Sequence, residues 1–183
     1  MTYKLFGISG SLRRASGNRK LLAEAARLFG ACELTLGDLN LPLYDSDFEA
    51  ARGIPEAVQI LAGQILAADA VIVSTPEYNK GPSGVLKNAL DWISRTKGNP
   101  WRDKPVAVMS AAAGRAGGER AQLVLRGYLV AFQPRLLTGP EVHLAACDDA
   151  FDDQGHLTGA LYIKTLQALM DKLRAGVSRE ESL

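Results

Sequence analysis

The sequence predicts a three-layer α/β sandwich: a five-stranded parallel sheet in strand order 2-1-3-4-5, with helices on both faces. Three observations predict it. Short apolar runs alternate with stretches of helical periodicity, the pattern of parallel strands joined by helical crossovers. Two runs, Ala70-Val71-Ile72-Val73-Ser74-Thr75 and Pro105-Val106-Ala107-Val108-Met109-Ser110, lack polar alternation and are rich in β-branched residues, as in strands buried on both faces. Five strands in 183 residues suit this order better than a six-stranded dinucleotide-binding sheet.

Residues 3–9 are the first apolar run, and its end runs into Gly10-Ser11 as Gly-Ile-Ser-Gly-Ser. Helical spacing follows over 18–29, with Leu21, Ala25 and Leu28 on one face, so this segment reads as strand, Gly/Ser-rich turn, helix. Gly30 suits the helix C-cap, and residues 32–36 form the second strand. Residues 37–54 read as a loop, with Gly37, Asp38, Pro42, Asp45, Asp47 and Gly53. Pro55 suits the first position of a helix whose stripe is Val58, Leu61 and Ile65. The third strand covers 70–75, a helix 84–95, and the fourth strand 105–110. Leu125, Leu129 and Phe132, extended by Ala121 and Val124, mark the next helix. Arg135-Leu136-Leu137 opens the last strand, and Tyr162, Leu166, Leu169 and Leu173 give the final helix. Residues 1–175 are expected to form a single domain and 176–183 a frayed tail.

Composition narrows the function. The chain is 47% hydrophobic and 22% charged, enough to build a full core. A net charge of +1 argues against a protein whose main task is gripping duplex nucleic acid. Cys32 and Cys147 stand far apart, with no CxxC or Cys/His cluster, so neither a metal site nor a disulfide framework is expected. Two free thiols read as cytoplasmic. No apolar run approaches the ~18–20 residues of a membrane span, and the N-terminus lacks the apolar region of a signal peptide.

In such sheets ligands bind at the carboxyl ends of the strands near the switch in strand order, so the loops after the first, third and fourth strands carry the interest. The first, residues 10–18, joins a strand to a helix N-terminus, where unpaired N–H groups and the helix dipole favour an anion. Ser11, Ser16 and Asn18 offer hydrogen bonds and Arg13 a permanent cation; the first 23 residues hold five positive charges and no acid. The competing reading is a solvated turn with Ser or Asn as N-cap. No GxGxxG or P-loop spacing is present. The second loop, Thr75-Pro76-Glu77-Tyr78-Asn79-Lys80-Gly81-Pro82-Ser83-Gly84, can fix its backbone beside a flat polar ligand, with Tyr78 as a π-face; a tight turn with a buried Tyr is the alternative. The third, Ser110-Ala111-Ala112-Ala113-Gly114-Arg115-Ala116-Gly117-Gly118, allows a ligand close to the backbone or is a flexible connector.

Three segments together resemble a family: Ser-Leu-Arg-x-x-Ser-x-Asn at 11–18, Pro-Glu-Tyr-Asn at 76–79 and Leu-Lys-Asn-Ala-x-Asp-Trp at 86–92. They are similar to the NAD(P)H-dependent FMN reductases, which include bacterial quinone and chromate reductase-like flavoproteins. The resemblance implies a flavodoxin-like fold holding FMN non-covalently. Ser11, Arg13, Ser16 and Asn18 would bind its phosphate. Pro76, Glu77, Tyr78 and Asn79 would surround the ring, largely by backbone contacts, and Ser110 and the loop to Gly114 would meet its other edge. The chain departs from the family pattern at Ser83-Gly84, where Pro-Gly is usual, and at Gly17, where a bulkier residue is common.

The chemistry implied is mainly the cofactor's. NAD(P)H would reduce the flavin, and a quinone, chromate, ferric, azo or flavin acceptor would reoxidise it in ping-pong fashion. No catalytic side chain is assigned; Tyr78 is the candidate for shaping the substrate face, and Glu77 reads as a salt-bridge or turn residue. His143 and His156 lack a catalytic setting, and the acidic run at 148–153 reads as a solvated loop. Trp92 reads as core or interface, and Trp101 as a partner contact. The resemblance also implies a homodimer or homotetramer, with Arg126, Tyr128 and Glu141 at the interface. A flavodoxin-type electron carrier or an FMN-binding sensor is the alternative, and Arg13 with the +1 charge speaks against the carrier.

Overall fold

Alternate residues along each strand point to opposite faces, and this period of two splits the core in two. In the computed structural model, which describes residues 2–178, Leu5, Ile72, Met109 and Val142 join Leu21, Leu22 and Phe29 with Leu166, Leu169 and Leu173 on one face. Phe6, Ile8, Val71, Val73, Val106 and Val108 join Leu61, Ile65, Leu90 and Leu125 on the other.

The elements run β1 (Tyr3–Ser9), α1 (Gly17–Phe29), β2 (Cys32–Leu36), α2 (Ser46–Arg52), α3 (Glu56–Ala67), β3 (Ala70–Thr75), α4 (Gly84–Ser94), β4 (Pro105–Ala111), α5 (Glu119–Leu129), β5 (Arg135–Leu136), β6 (Val142–Leu144) and α6 (Ala160–Ser178). All strand pairings are parallel, in the order β2-β1-β3-β4-β5, with β6 also on β4. Helices α1 and α6 cover one face, and α3, α4 and α5 the other.

Four details differ from the sequence expectation. The segment 37–54 contains a helix, α2, capped by the Asp45 side chain accepting from the Asp47 N–H at 2.8 Å. It buries no residue fully, so it has no apolar stripe to read; Phe48 edges onto Trp92, and Glu49 pairs with Arg95 at 3.0 Å. The fifth strand is split in two. Leu137 N–H still reaches Val106 O, but Pro140 has no N–H to offer, and the ladder resumes only at Val142. Trp101 is fully buried beside Phe132, in the core of the chain; Trp92 is likewise core. Helix α6 runs on past residue 175 to Ser178, with Val177 buried; the remainder of the expected tail, 179–183, lies outside the described residues.

A buried carboxylate ties α1 to the 150–157 loop. Glu24 takes two hydrogen bonds from Arg27 (2.8 and 2.9 Å), one from the Leu157 N–H, and meets His156 Nδ1 at 2.7 Å. Burial pushes its pKa up, but the hydrogen bonds from Arg27, His156 and Leu157 outweigh this and hold it at about 2, against an ordinary 4.5. A depressed carboxylate stabilises the fold fully above its unfolded pKa and loses that contribution as the pH falls to the folded value. Stability is therefore expected to drop by about 3 kcal/mol between pH 4.5 and 2 from this group alone. Denaturant melts of Glu24→Gln should show a less stable protein at neutral pH and a flatter acid limb. An unchanged acid limb would contradict the assignment.

Candidate cofactor site

The carboxyl ends of β1, β3 and β4 bring the three loops around one cavity of about 350 Å³. That volume lies in the range of small-molecule sites. A larger, more apolar cavity of about 470 Å³ lies between α3 and the 96–100 loop, away from all three.

The first loop is shaped by its own hydroxyls. Ser9 Oγ donates to Ser11 O and accepts from the Ser11 N–H, both at 3.2 Å, and Gly10 N–H extends the sheet to Ser74 O at 2.8 Å. Ser16 caps α1, its Oγ accepting from the Asn18 N–H at 3.2 Å. Among the described residues the backbone N–H groups of Leu12, Ala15 and Gly17 find no acceptor. That of Gly17 opens α1 and lines the cavity, at the positive end of the helix, where an anion is favoured. Arg13 stands exposed at the rim, 3.9 Å from Asp148, a distance too long to hold it tightly.

Asn18 turns out to be a clamp. Its Oδ1 accepts from Ser74 Oγ (2.7 Å) and the Ala111 N–H (3.0 Å), and its Nδ2 donates to Ala111 O (2.9 Å). The side chain is buried and pins the first turn of α1 to the ends of β3 and β4, a structural role beside its place in the cavity lining. Gly17 has a specific reason to be small. A Cβ there would stand 3.0 Å from Cys147 Sγ, so the buried thiol occupies the room a bulkier residue would take. Burial and then Asp148 push that thiol's pKa up, with Arg13 opposing, which keeps it protonated and poorly nucleophilic.

In the second loop, Tyr78 N–H bonds Gly81 O (2.9 Å) and Gly81 N–H bonds Tyr78 O (3.1 Å). Asn79 and Lys80 between them have φ of +52° and +70°, a two-residue turn of type I′. Asn79 is thus the exposed tip of a turn and does not line the cavity, while Pro76, Glu77 and Tyr78 do. The Tyr78 ring is 58% exposed at the mouth, contrary to the buried-Tyr alternative. Glu77 Oε2 accepts from the Arg120 and Ala121 N–H groups at 3.1 and 3.2 Å, capping α5, whose N-cap Gly118 has no side chain to do so.

The third loop is fastened from below. Ser110 is fully buried; its Oγ donates to Gly117 O (2.6 Å) and accepts from Gln122 Nε2 (2.9 Å), so its hydroxyl proton does not face a ligand. Residues 111–114 line the cavity, and a Cβ on Gly114 would meet nothing within 4 Å. Three contributors were missed by the sequence reading. Gln122, a polar residue on an apolar helical stripe, carried a readable signal. Cys147 and Asp148 carried none, because only the split fifth strand brings them to the cavity.

The Ser83 departure is also explicable. Its Oγ is buried with no hydrogen-bond partner, and its φ of −62° is one that proline adopts. Ser83→Pro is expected to stabilise the chain by about 0.4–1 kcal/mol, seen as a raised Tm; a lowered Tm would contradict this account of the turn.

The residues present fit the flavin implied above: unpaired N–H groups and an arginine at one end, a proline-fixed backbone edge and small residues at the other. Comparison with known proteins agrees. The sequence pattern of the NADPH-dependent FMN reductase family matches residues 3–148. The chain is 43% identical over 178 residues to an NAD(P)H-dependent FMN reductase of Pseudomonas aeruginosa, covering 96% of each. It is 36% identical over 182 residues to a 2-hydroxy-1,4-benzoquinone reductase of a Burkholderia species, covering 97% of each. Its structure superposes on FerB, a flavoenzyme NAD(P)H:acceptor oxidoreductase of Paracoccus denitrificans, with a TM-score of 0.87 at 32% identity, covering 97% of this chain and 98% of that one. With its flavodoxin-like sheet, its strand-end cavity and a match over most of its length, the chain belongs to the NADPH-dependent FMN reductase family.

Proposed function

We propose that the chain holds FMN non-covalently in the strand-end cavity and passes electrons from NAD(P)H to quinones. The observation that carries this is the convergence on one cavity of Ser11, Arg13, Ser16 and Gly17 with its unpaired N–H from the first loop, of residues 76–78, and of the small residues 111–114. When bound, FMN supplies a ring that takes a hydride from NAD(P)H and returns two electrons to the acceptor.

The protein's part is binding and position. Arg13, Ser11 and the free N–H groups of the first loop neutralise the phosphate. Through their side-chain hydrogen bonds Asn18, Ser110 and Glu77 hold the three loops at fixed spacing, which fixes the ring's seat. Tyr78 and Pro76 shape the open face where reductant and acceptor lie in turn. With Glu77 engaged as a helix cap and Cys147 protonated, no side chain is assigned as acid, base or nucleophile.

No helix among the described residues is long and apolar enough to cross a membrane. The proposal places the reaction in the cytoplasm, where thiols such as Cys32 and Cys147 stay reduced, and the protein as a homodimer or homotetramer, which sedimentation velocity reads directly.

Arg13→Ala is expected to weaken FMN binding by about 1.5–3 kcal/mol, one to two orders of magnitude in Kd. Fluorescence titration of the flavin-free chain with FMN measures it; an unchanged affinity would remove Arg13 from the phosphate site. Steady-state rates over varied NAD(P)H and quinone should give parallel double-reciprocal lines. Intersecting lines would replace the shared face with two separate ones.

A further inference from the structure

The cavity of about 470 Å³ between α3 and the loop after α4 shares no lining residue with the cofactor cavity. Its volume lies in the range of small-molecule sites. Its apolar walls are Ile54, Ala62, Leu66 and Pro100. Leu66 is 65% exposed, so a ligand that covered it would withdraw apolar surface from water. Among the lining residues Lys97 alone carries a charge.

The loop side of the cavity offers free donors. The Lys97 ammonium has no hydrogen bond or ion pair among the described residues, whereas Lys87 reaches a carboxylate and Lys104 a carbonyl. The backbone N–H groups of Lys97 and Gly98 also find no acceptor among the described residues. Gly98 has a φ of +88°, and Lys97 before it keeps an ordinary negative φ. A left-handed residue beside an ordinary one turns successive N–H groups towards one side, as in anion-binding nests. The other polar side chains of the lining spend their donors inside the chain. Thr96 Oγ1 donates to Ile93 O at 2.7 Å, and Gln59 Nε2 to Ile54 O at 2.9 Å. One ammonium and two N–H groups balance a single carboxylate. No arginine fork stands in the lining to meet the second charge of a phosphate.

Gly63 is an independent observation. It lies in the interior of α3, where glycine weakens a helix relative to alanine. A Cβ there would meet nothing within 4 Å, so no packing contact demands its small size. The missing side chain keeps the cavity open, since Gly63 is part of its wall.

We infer that this cavity binds an amphipathic monocarboxylate, its hydrocarbon body along Ile54, Ala62, Gly63 and Leu66 and its carboxylate on Lys97 and the N–H groups of residues 97 and 98. The site does not depend on the flavin reading of the strand-end cavity.

Calorimetry on the full chain supplied with FMN tests it, with octanoate, 1-octanol and acetate as probes. Octanoate carries both parts of the ligand, and the other two carry one each. Octanoate should bind at least tenfold tighter than 1-octanol, and acetate should give no saturable heat. Lys97→Met keeps an apolar stem and removes the charge; it should lower octanoate to the level of 1-octanol. Gly63→Leu should fill the cavity and abolish the binding of both, with a Tm no lower than the parent's, because leucine suits a helix better than glycine. The visible flavin band should not move when octanoate is added. Absence of saturable octanoate binding, equal binding of octanoate and 1-octanol, or binding that survives Gly63→Leu would each overturn the inference. A shifted flavin band would overturn it too, by placing the ligand in the cofactor cavity. Sedimentation velocity reads the last alternative: an assembly of the parent chain that Gly63→Leu dissociates would make the cavity an interface between copies and remove the ligand site.

Discussion

Gly117→Ala is expected to cost about 3–5 kcal/mol of stability and most of the FMN affinity. Gly117 has a φ of +60°, a conformation that costs an alanine about 1–2 kcal/mol. The larger effect is steric. A Cβ there would stand 2.3 Å from the backbone oxygen of His143, which belongs to β6 and cannot swing aside as a side-chain tip could. The substitution must therefore push the third loop off β6. Gly117 O is also the acceptor of the Ser110 hydroxyl, so the anchor beneath the loop goes with it. Gly114→Ala is the matched control, because its Cβ enters open space, and its stability should stay within about 0.5 kcal/mol of the parent. Denaturant unfolding of the two variants separates the cases; equal stabilities would contradict the packing described here.

Asn18→Ala should lose about 3 kcal/mol, although alanine suits a helix better than asparagine. Removing the amide leaves Ser74 Oγ, the Ala111 N–H and Ala111 O without their partner in a buried place. Each such group costs about 1–3 kcal/mol, and the costs overlap because they share one network. Asn18→Asp is not a rescue, since a carboxylate would face Ala111 O where Nδ2 now donates. The Kd for FMN, measured well below the melting temperature, should rise in Asn18→Ala because the three strand ends lose their fixed spacing. A destabilised protein with unaltered FMN affinity would show that Asn18 holds the fold but does not position the site.

The sheet was legible because β3 and β4 are continuous apolar runs and β1 ends in a Gly/Ser turn. Those features come from burial on two faces, which composition alone can carry. Helix α2 and the split of the fifth strand were not legible. One buries nothing completely, and the other is an interruption of residues 137–141, in which Pro140 has no N–H to offer. Trp101 looked like a surface residue because of its polar neighbours in sequence, yet its ring lies in the core beside Phe132. The site divides in the same way. The three loops could be placed from strand ends, but the work of their residues could not. Asn18, Ser110 and Glu77 are defined by partners 93, 7 and 43 residues away, and such pairings leave no local pattern. Asn79 sits at a left-handed turn position, which its residue type suits but which no spacing in the sequence announces. The Asn88 and Trp92 of the third resembling segment likewise serve the fold, both donating to Pro42 O at 2.9 and 2.8 Å and so holding the 37–45 segment against α4.

The central claim is that this chain is a flavin oxidoreductase whose cavity serves a reductant and an acceptor in turn. Anaerobic stopped-flow absorbance of the FMN-loaded protein tests it most directly. Mixing with NADPH should bleach the visible flavin band within the turnover time, and adding a benzoquinone should restore it with release of the hydroquinone. Bound flavin that neither NADPH nor NADH bleaches, though dithionite does, would contradict the claim and leave an electron carrier in its place.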